Sequence, residues 1–278
     1  MGGSVVALSF VHAFRAPCRF SRWLQRRPFR VEGGRPLRLH SQQAAATMPK
    51  GDGYGGEGRV IEPGRGIKAT SVLIWLHGLG DTAEGWAPVM PELRLPSTRF
   101  ILPTAETRSV TLNFGIEMPA WSDIFSLDER VREDEQGILE SVARVSRIVE
   151  GEITQKGLAP ERVFLGGFSQ GGAIALQAYL RSEHPLGGFL GLSTWLAMRN
   201  KVFAAIPGSR RSGRIALWHG DRDSIVNHAV GMRSAEQLRQ SLPATFEVSF
   251  HTVKGLDHAM DREELNEFRR TLQDWVQG

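Results

Sequence analysis

The chain has 278 residues, 41% of them hydrophobic, enough for one large core or two modest ones. Its formal charge of +4 at pH 7 is uneven: residues 1–48 hold eight arginines, no lysine and one acid, a surplus of seven, so the remainder is net −3. A negative body takes away the electrostatic support for nucleic-acid binding, the single cysteine (Cys18) excludes an intramolecular disulfide framework or cysteine-built zinc site, and no apolar run is long enough to cross a bilayer.

The leader, residues 1–48, is arginine-rich and acid-poor, the composition of an organellar transit peptide. A secretory signal fits less well, because "VVALSFVHAF" has no positive residue before it, and Val6 stands where a myristoylation signal wants Ser or Thr. The alternative is a disordered tail, or an upstream extension with initiation at Met48. The expected location is intracellular and soluble: cytoplasmic, or mitochondrial or plastid if the leader is a working transit peptide. Residues 49–68 are glycine-rich and polar and read as a linker with a short edge strand at "GRVIEP", leaving 69–278 as the folded domain.

From residue 71 short apolar runs alternate with amphipathic ones. "SVLIWLH" (71–77), "RFILPT" (99–104), "RVFLGG" (162–167), "GGFLGLS" (187–193), "RIALWHG" (214–220) and "TFEVSFHTV" (245–253) read as strands. Several are apolar throughout, as strands covered on both faces must be. Ile138, Val142, Val145 and Val149 recur at helical spacing on one face, and 171–181, 230–241 and 261–276 also read as helices. Strand–helix alternation of this kind predicts one α/β domain with a mainly parallel sheet, in which ligands bind at the carboxyl ends of the strands.

Just past one such end, Gly167-Phe168-Ser169-Gln170-Gly171 matches G-x-S-x-G between a strand and a helix. A serine on so sharp a turn has its hydroxyl thrust out above the sheet, and its neighbours two residues away come too close to the backbone to carry a Cβ. The helix that starts here offers free N–H groups to a developing anion. Such a nucleophile needs an acid and a base, which follow it in that order on this kind of turn. "RIALWHGDRDSIV" places Asp221 and Asp223 beyond the next-to-last strand, and spacing alone does not choose between them. Of the downstream histidines, His251 lies inside a strand opposite the face of Phe246, Val248 and Phe250, and His228 follows Asp223 too closely. His258, in the loop "KGLDHAM" after the last strand, is where a general base would hang over the sheet. The glycine-containing loop "LIWLHGLGDTAEGW" (73–86) can turn a backbone N–H towards an oxyanion, so Leu79 and the residue after the serine, Gln170, are the expected donors. His77 is expected to brace that loop, and His219 is a strand-end residue of no special promise.

Together "HGLGDTAEGW" (77–86), "GGFSQGGA" (166–173), "HGDRDSIV" (219–226) and "GLDHAM" (255–260) resemble the acyl-protein thioesterase and carboxylesterase family, the phospholipase/carboxylesterase group of α/β-hydrolases. "VTLNFGIEMPAWSDI" (110–124) is similar to the family's segment beside the acyl site, and the match spans roughly 58–276. The resemblance implies an α/β-hydrolase fold, a mainly parallel central sheet with helices on both faces. It assigns Ser169 as nucleophile, Asp223 as acid, His258 as base, and the Leu79 and Gln170 backbones as oxyanion donors. Trp121 and Trp195, the latter in "STWLAM" (193–198), fall where the family lines its acyl-binding surface, and Trp86 and the neighbouring Leu196 are counted with them as substrate-binding, although plain core packing accounts for aromatic residues there equally well. Two positions depart from the pattern: Asn227 stands where proline is frequent, and Asp257 puts a carboxylate directly before His258, where a small residue is commoner.

The implied reaction is hydrolysis of acyl thioesters or esters without metal or organic cofactor. Its substrates would be S-palmitoylated proteins or lysophospholipids, met in transient contact with a membrane surface. A general carboxylesterase is the nearest alternative. A non-catalytic hydrolase-fold binding protein is a more distant one, since such proteins commonly lose a member of the serine, acid and histidine set.

Overall fold

The computed structural model describes residues 45–47, 57–127 and 132–278. Cys18, the transit-peptide reading of the leader and the glycine-rich part of the linker lie outside the described residues. Strands form at Ala45–Thr47 (β1), Gly58–Ile61 (β2), Ser71–Leu76 (β3), Thr98–Pro103 (β4), Thr107–Val110 (β5), Ile116–Pro119 (β6), Val163–Phe168 (β7), Gly188–Leu192 (β8), Gly213–Gly220 (β9) and Phe246–Val253 (β10). Eight of them make one sheet in the order β1-β2-β4-β3-β7-β8-β9-β10, antiparallel at β1 and β2 and parallel from β4 to β10. The segment "GRVIEP", expected at the sheet edge, is flanked on both sides: β1, drawn from the stretch assigned to the leader, pairs outside β2.

The inner parallel strands β3, β7 and β8 are buried at every residue because helices cover both faces. Successive side chains of a strand point to opposite sides, and β3 divides accordingly. Val72, Ile74 and Leu76 join the core beneath the helices Glu135–Glu150 (α2), Gln170–Arg181 (α3) and His228–Ser241 (α4). Leu73 and Trp75 join the core beneath the short helix Ala83–Trp86 (α1) and the last helix, Arg262–Gln277 (α5). The stripe Ile138, Val142, Val145 and Val149 on α2 is buried in the first of these cores. On β10, His251 stacks at 5.0 Å on Trp218 of β9, while Val248 and Phe250 pack on the other face. Among the described residues no helix is long and apolar enough to cross a membrane.

No strand signal in the sequence marks the β5–β6 hairpin. Its strands are four residues each, with only Val110 buried, and carry no sustained alternation of apolar and polar residues. Its turn uses Phe114 at φ 58° and Gly115 at φ 78°, and a bulky residue in the left-handed region gives no turn signal in sequence. The hairpin leads into Ala120–Ser122, which passes beside the amino end of α3.

Candidate active site

The loops after β9 and β10 lie side by side because these strands pair in parallel with their ends aligned, Thr252 opposite His219 and Val253 opposite Gly220. That register brings Asp223 and His258 together at the carboxyl edge of the sheet, within reach of the residue that follows β7, two strands away.

That residue is Ser169, at φ 52° and ψ −123°. A non-glycine residue in such a conformation stores on the order of 1–3 kcal/mol of strain and persists only if its surroundings over-determine it. Here the Ser169 N–H donates to Leu192 O (2.9 Å), and its carbonyl accepts from Thr194 Oγ1 (2.8 Å) and the Ala173 N–H (3.1 Å). The flanking glycines are a matter of space. A Cβ on Gly167 would come within 2.6 Å of the Gly172 nitrogen and 2.7 Å of Leu76 O. A Cβ on Gly171 would collide with the carbonyl oxygens of Leu76 and His77. The amino end of α3 can therefore sit against the end of β3 only with glycine at both positions.

Ser169 Oγ–H donates to His258 Nε2 at 3.0 Å, and His258 Nδ1–H donates to Asp223 Oδ2 at 2.7 Å. All three residues are buried. The Phe168 ring packs against the imidazole with centroids 4.8 Å apart. Asp223 Oδ1 accepts the backbone N–H groups of Ile225 and Val226, each at 2.9 Å. Burial alone would push this carboxyl up. The hydrogen bonds from His219 and His258, the His258 charge and the Ile225 N–H outweigh it and hold Asp223 well below the usual carboxylate range. Asp221 is turned away, exposed and accepting the Gly255 N–H at 2.6 Å. The Asp257 carboxylate is taken up by Ser224 N–H (2.8 Å), Ser224 Oγ (2.9 Å) and the His258 N–H (2.8 Å), so it ties the two loops together.

The loop 77–81 passes over the serine, with a Cβ on Gly78 falling 3.5 Å from Ser169 Cβ. Gly80 N–H donates to Pro119 O (2.8 Å) and Asp81 N–H to Gly78 O (3.2 Å), but the Leu79 N–H has no protein acceptor among the described residues. The Gln170 N–H is the first of α3, one of the four in any helix that lack an intrahelical acceptor. His77 braces the loop as expected. Its Nε2 accepts the Ala105 N–H at 2.9 Å, so its proton sits on Nδ1 and donates to Gly78 O at 2.7 Å. Burial, helped by the Arg144 charge, lowers this imidazole to about 4 against the pull of the Gly78 hydrogen bond, and it is neutral at physiological pH.

The Gln170 side chain, considered in sequence only for its backbone, holds the segment after the hairpin. Its Oε1 accepts the Trp121 N–H (3.0 Å), and its Nε2 donates to Ser122 O (2.8 Å). Trp121 is 1% exposed and gives its indole N–H to His77 O at 2.8 Å, so it braces the loop instead of facing open space. Trp86 lies in the second core, against Trp75 and Phe168 at centroid distances of 4.8 and 5.7 Å. Neither indole lines the cavity that opens beside the serine turn, whereas Trp195 and Leu196 do. This cavity, about 180 Å³, is walled by Gln170 and Ile174 of α3, by Ile225 and Val226, and by Trp195 and Leu196. Its outer rim carries Arg132 and Arg233.

Six residues beyond His258, Glu264 is fully buried, and neither of its carboxylate oxygens has a partner among the described residues. Burial and the negative charges of Asp261, Asp223 and Glu267 push it well above its ordinary 4.5. The folded chain therefore keeps this proton where the unfolded chain has lost it. The stability involved is intact below about pH 4.5 and drains away as pH rises towards the folded pKa. Glu264→Gln, which has no proton to lose, removes this pH-dependent cost and should raise unfolding free energy at pH 8 by about 1–3 kcal/mol, on the scale of about 1.4 kcal/mol for each tenfold change in proton affinity. At pH 4 it should change almost nothing. Urea melts of both proteins at the two pH values measure this, and a gain independent of pH would refute it.

A family model described as phospholipase/carboxylesterase matches residues 57–276. The acyl-protein thioesterase 1 of Mycosarcoma maydis is 37% identical over 227 residues, covering 77% of this chain and 95% of the relative. The same-named protein of Gibberella zeae is 38% identical over 215 residues, covering 73% and 89%. The crystal structure of Zea mays acyl-protein thioesterase 2 superposes with a TM-score of 0.71 at 28% identity, covering 80% of this chain and 99% of that one. With its mainly parallel sheet and the serine turn after β7, the chain belongs to the phospholipase/carboxylesterase family of α/β-hydrolases and is an ester hydrolase of the serine type.

Proposed function

We propose that the protein is an acyl-protein thioesterase, removing fatty acyl groups from cysteine thiols through a covalent acyl-enzyme. The observation that carries this reading is the continuous line from Ser169 Oγ through His258 to Asp223, at 3.0 and 2.7 Å. His258 Nε2 takes the Ser169 proton as Oγ forms a bond to the thioester carbonyl carbon. The carbonyl π electrons move to oxygen, where the Leu79 and Gln170 N–H groups receive the negative charge. As the tetrahedral species collapses, the C–S bond breaks and the thiolate leaves with the proton from His258. Water then attacks the acyl-enzyme, with His258 as base, and releases the fatty acid. Asp223 stays ionised throughout, orienting His258 and balancing its transient positive charge.

The apolar walls of the cavity at Ile174, Trp195, Leu196 and Ile225 favour an acyl chain, each buried methylene being worth roughly 0.8 kcal/mol. The Mycosarcoma maydis, Gibberella zeae and Zea mays relatives, by name acyl-protein thioesterases, make a protein thioester the leading substrate class. Acylated proteins are accordingly the proposed partners, met at the membrane surface in which their chains are anchored.

A serine-directed fluorophosphonate should label the wild-type protein and leave Ser169→Ala unlabelled. Labelling that survives the substitution defeats the reading. On the wild-type enzyme without the label, kcat/KM should be higher for a palmitoyl thioester than for a short-chain p-nitrophenyl ester. The reverse order would make the protein a general carboxylesterase.

A further inference from the structure

The Asp223 carboxylate carries a second imidazole. His219, at the end of β9, points Nε2 at Val226 O (2.8 Å) and at Asp223 Oδ2 (3.2 Å). A carbonyl and a carboxylate only accept, so the proton sits on Nε2 and is shared between them. Val226 closes the circle, since its own N–H donates to Asp223 Oδ1 at 2.9 Å. With Ile225 N–H and His258 Nδ1–H, Asp223 then has four donors on its two oxygens, about as many as a carboxylate can accept.

The ring is fixed. It is 1% exposed, and a Cβ on Gly231 of α4 would collide with its Nδ1. His228 of α4 meets it edge-on at 5.8 Å, and Phe250 of β10 lies 6.3 Å away. The titratable groups around it are Asp223 from the turn after β9, His258 from the loop after β10 on the same carboxylate oxygen, and His228 from α4. The neighbouring residues of β10, Phe250 and Thr252, do not titrate.

We propose that His219 is a positioning residue for the hydrolysis, holding Asp223 in place for His258 through its shared Nε2–H. The inference rests on the assignment of Ser169, His258 and Asp223 above. Without His219, Val226 O loses its donor and the turn that presents Asp223 loosens. Oδ2 is left with His258 alone, so more of its negative charge faces that imidazole and favours the imidazolium.

His219→Leu should therefore lower kcat about 10- to 100-fold, taking as the guide the loss on removing a hydrogen-bond partner that orients a metal-ligating side chain. It should also move the acid limb of the kcat/KM profile to higher pH. His219→Gln, whose amide nitrogen falls near the Nε2 position, should recover most of kcat and the original limb. His219→Asn, whose amide nitrogen falls near Nδ1, should not. If His219→Leu does not fold, the Gln and Asn pair decides. A folded His219→Leu with wild-type kcat and an unmoved limb overturns the inference, as does a Gln variant no better than Asn. Ser169→Ala assayed alongside separates the two levels. If it is inactive while His219→Leu is fully active, only the role of His219 falls; if Ser169→Ala retains activity, the assignment beneath it falls.

Discussion

Ser169→Ala should lower kcat for a palmitoyl thioester by about 10⁴- to 10⁶-fold, and adding His258→Ala to it should cost little more. The expectation follows from how the two side chains are joined. At 3.0 Å, His258 Nε2 is the only base in contact with Ser169 Oγ among the described residues, and the imidazole has no other proton to remove in the first step. Once the hydroxyl is gone, the base has nothing to act on. Once the base is gone, the hydroxyl remains protonated and weakly nucleophilic. The two losses therefore overlap and do not sum. A residual rate above the uncatalysed reaction remains, because the Leu79 and Gln170 N–H groups are backbone and survive both substitutions. Single-turnover assays of the two single variants and the double one give the comparison. Losses that multiply would mean that the serine and histidine act independently, contrary to the proposed mechanism.

The parallel sheet was legible because its interior strands have no polar face. A run such as Val72–Leu76 is apolar on both faces, unlike the one-sided pattern of the long helices α2 and α5. The serine turn was legible for a steric reason: the close packing of α3 on the end of β3 leaves no room for a Cβ at Gly167 or Gly171, and two glycines around a serine record that requirement in letters. His258 could be approached from chain order, because a loop after the last strand ends up beside the loop after β9 whenever those strands pair in parallel. What could not be read was which way side chains turn. Trp86 belongs to the same glycine-rich segment as Leu79, but one helical turn carries it into the core against Trp75. Trp121 is spent as a hydrogen-bond donor to His77 O. His219 gave no signal, since a histidine at a strand end is unremarkable until Val226 folds back to meet it. Glu264 gave the opposite signal, that of an acidic residue in the first turn of an exposed helix, yet it is fully buried.

The choice between Asp221 and Asp223 was also closed to spacing, and it carries the second large expected effect. Asp223→Asn should lower kcat by about 10⁴-fold, while Asp221→Asn should stay within a few-fold of wild type. The asparagine keeps the shape of the side chain but changes what its atoms can do. Oδ1 of Asp223 faces two N–H groups, so the amide settles with its oxygen there and its NH₂ at the Oδ2 position. That NH₂ would meet two N–H donors, His258 Nδ1 and His219 Nε2, where the carboxylate had accepted both. His258 can relieve the clash by moving its proton to Nε2, but a protonated Nε2 has no lone pair for Ser169 Oγ–H. The base is thus lost through its tautomer, with every heavy atom nearly in place. At Asp221 the single acceptor role, towards the Gly255 N–H, is served equally well by an amide oxygen. The contrast also has a pH signature. Because a tautomer and not a charge is at fault, raising the pH to where hydroxide can take the serine proton should restore part of the rate of Asp223→Asn. A pH–rate profile of the two variants reads this directly. Equal losses in both, or a larger loss at Asp221, would reverse the assignment of the acid.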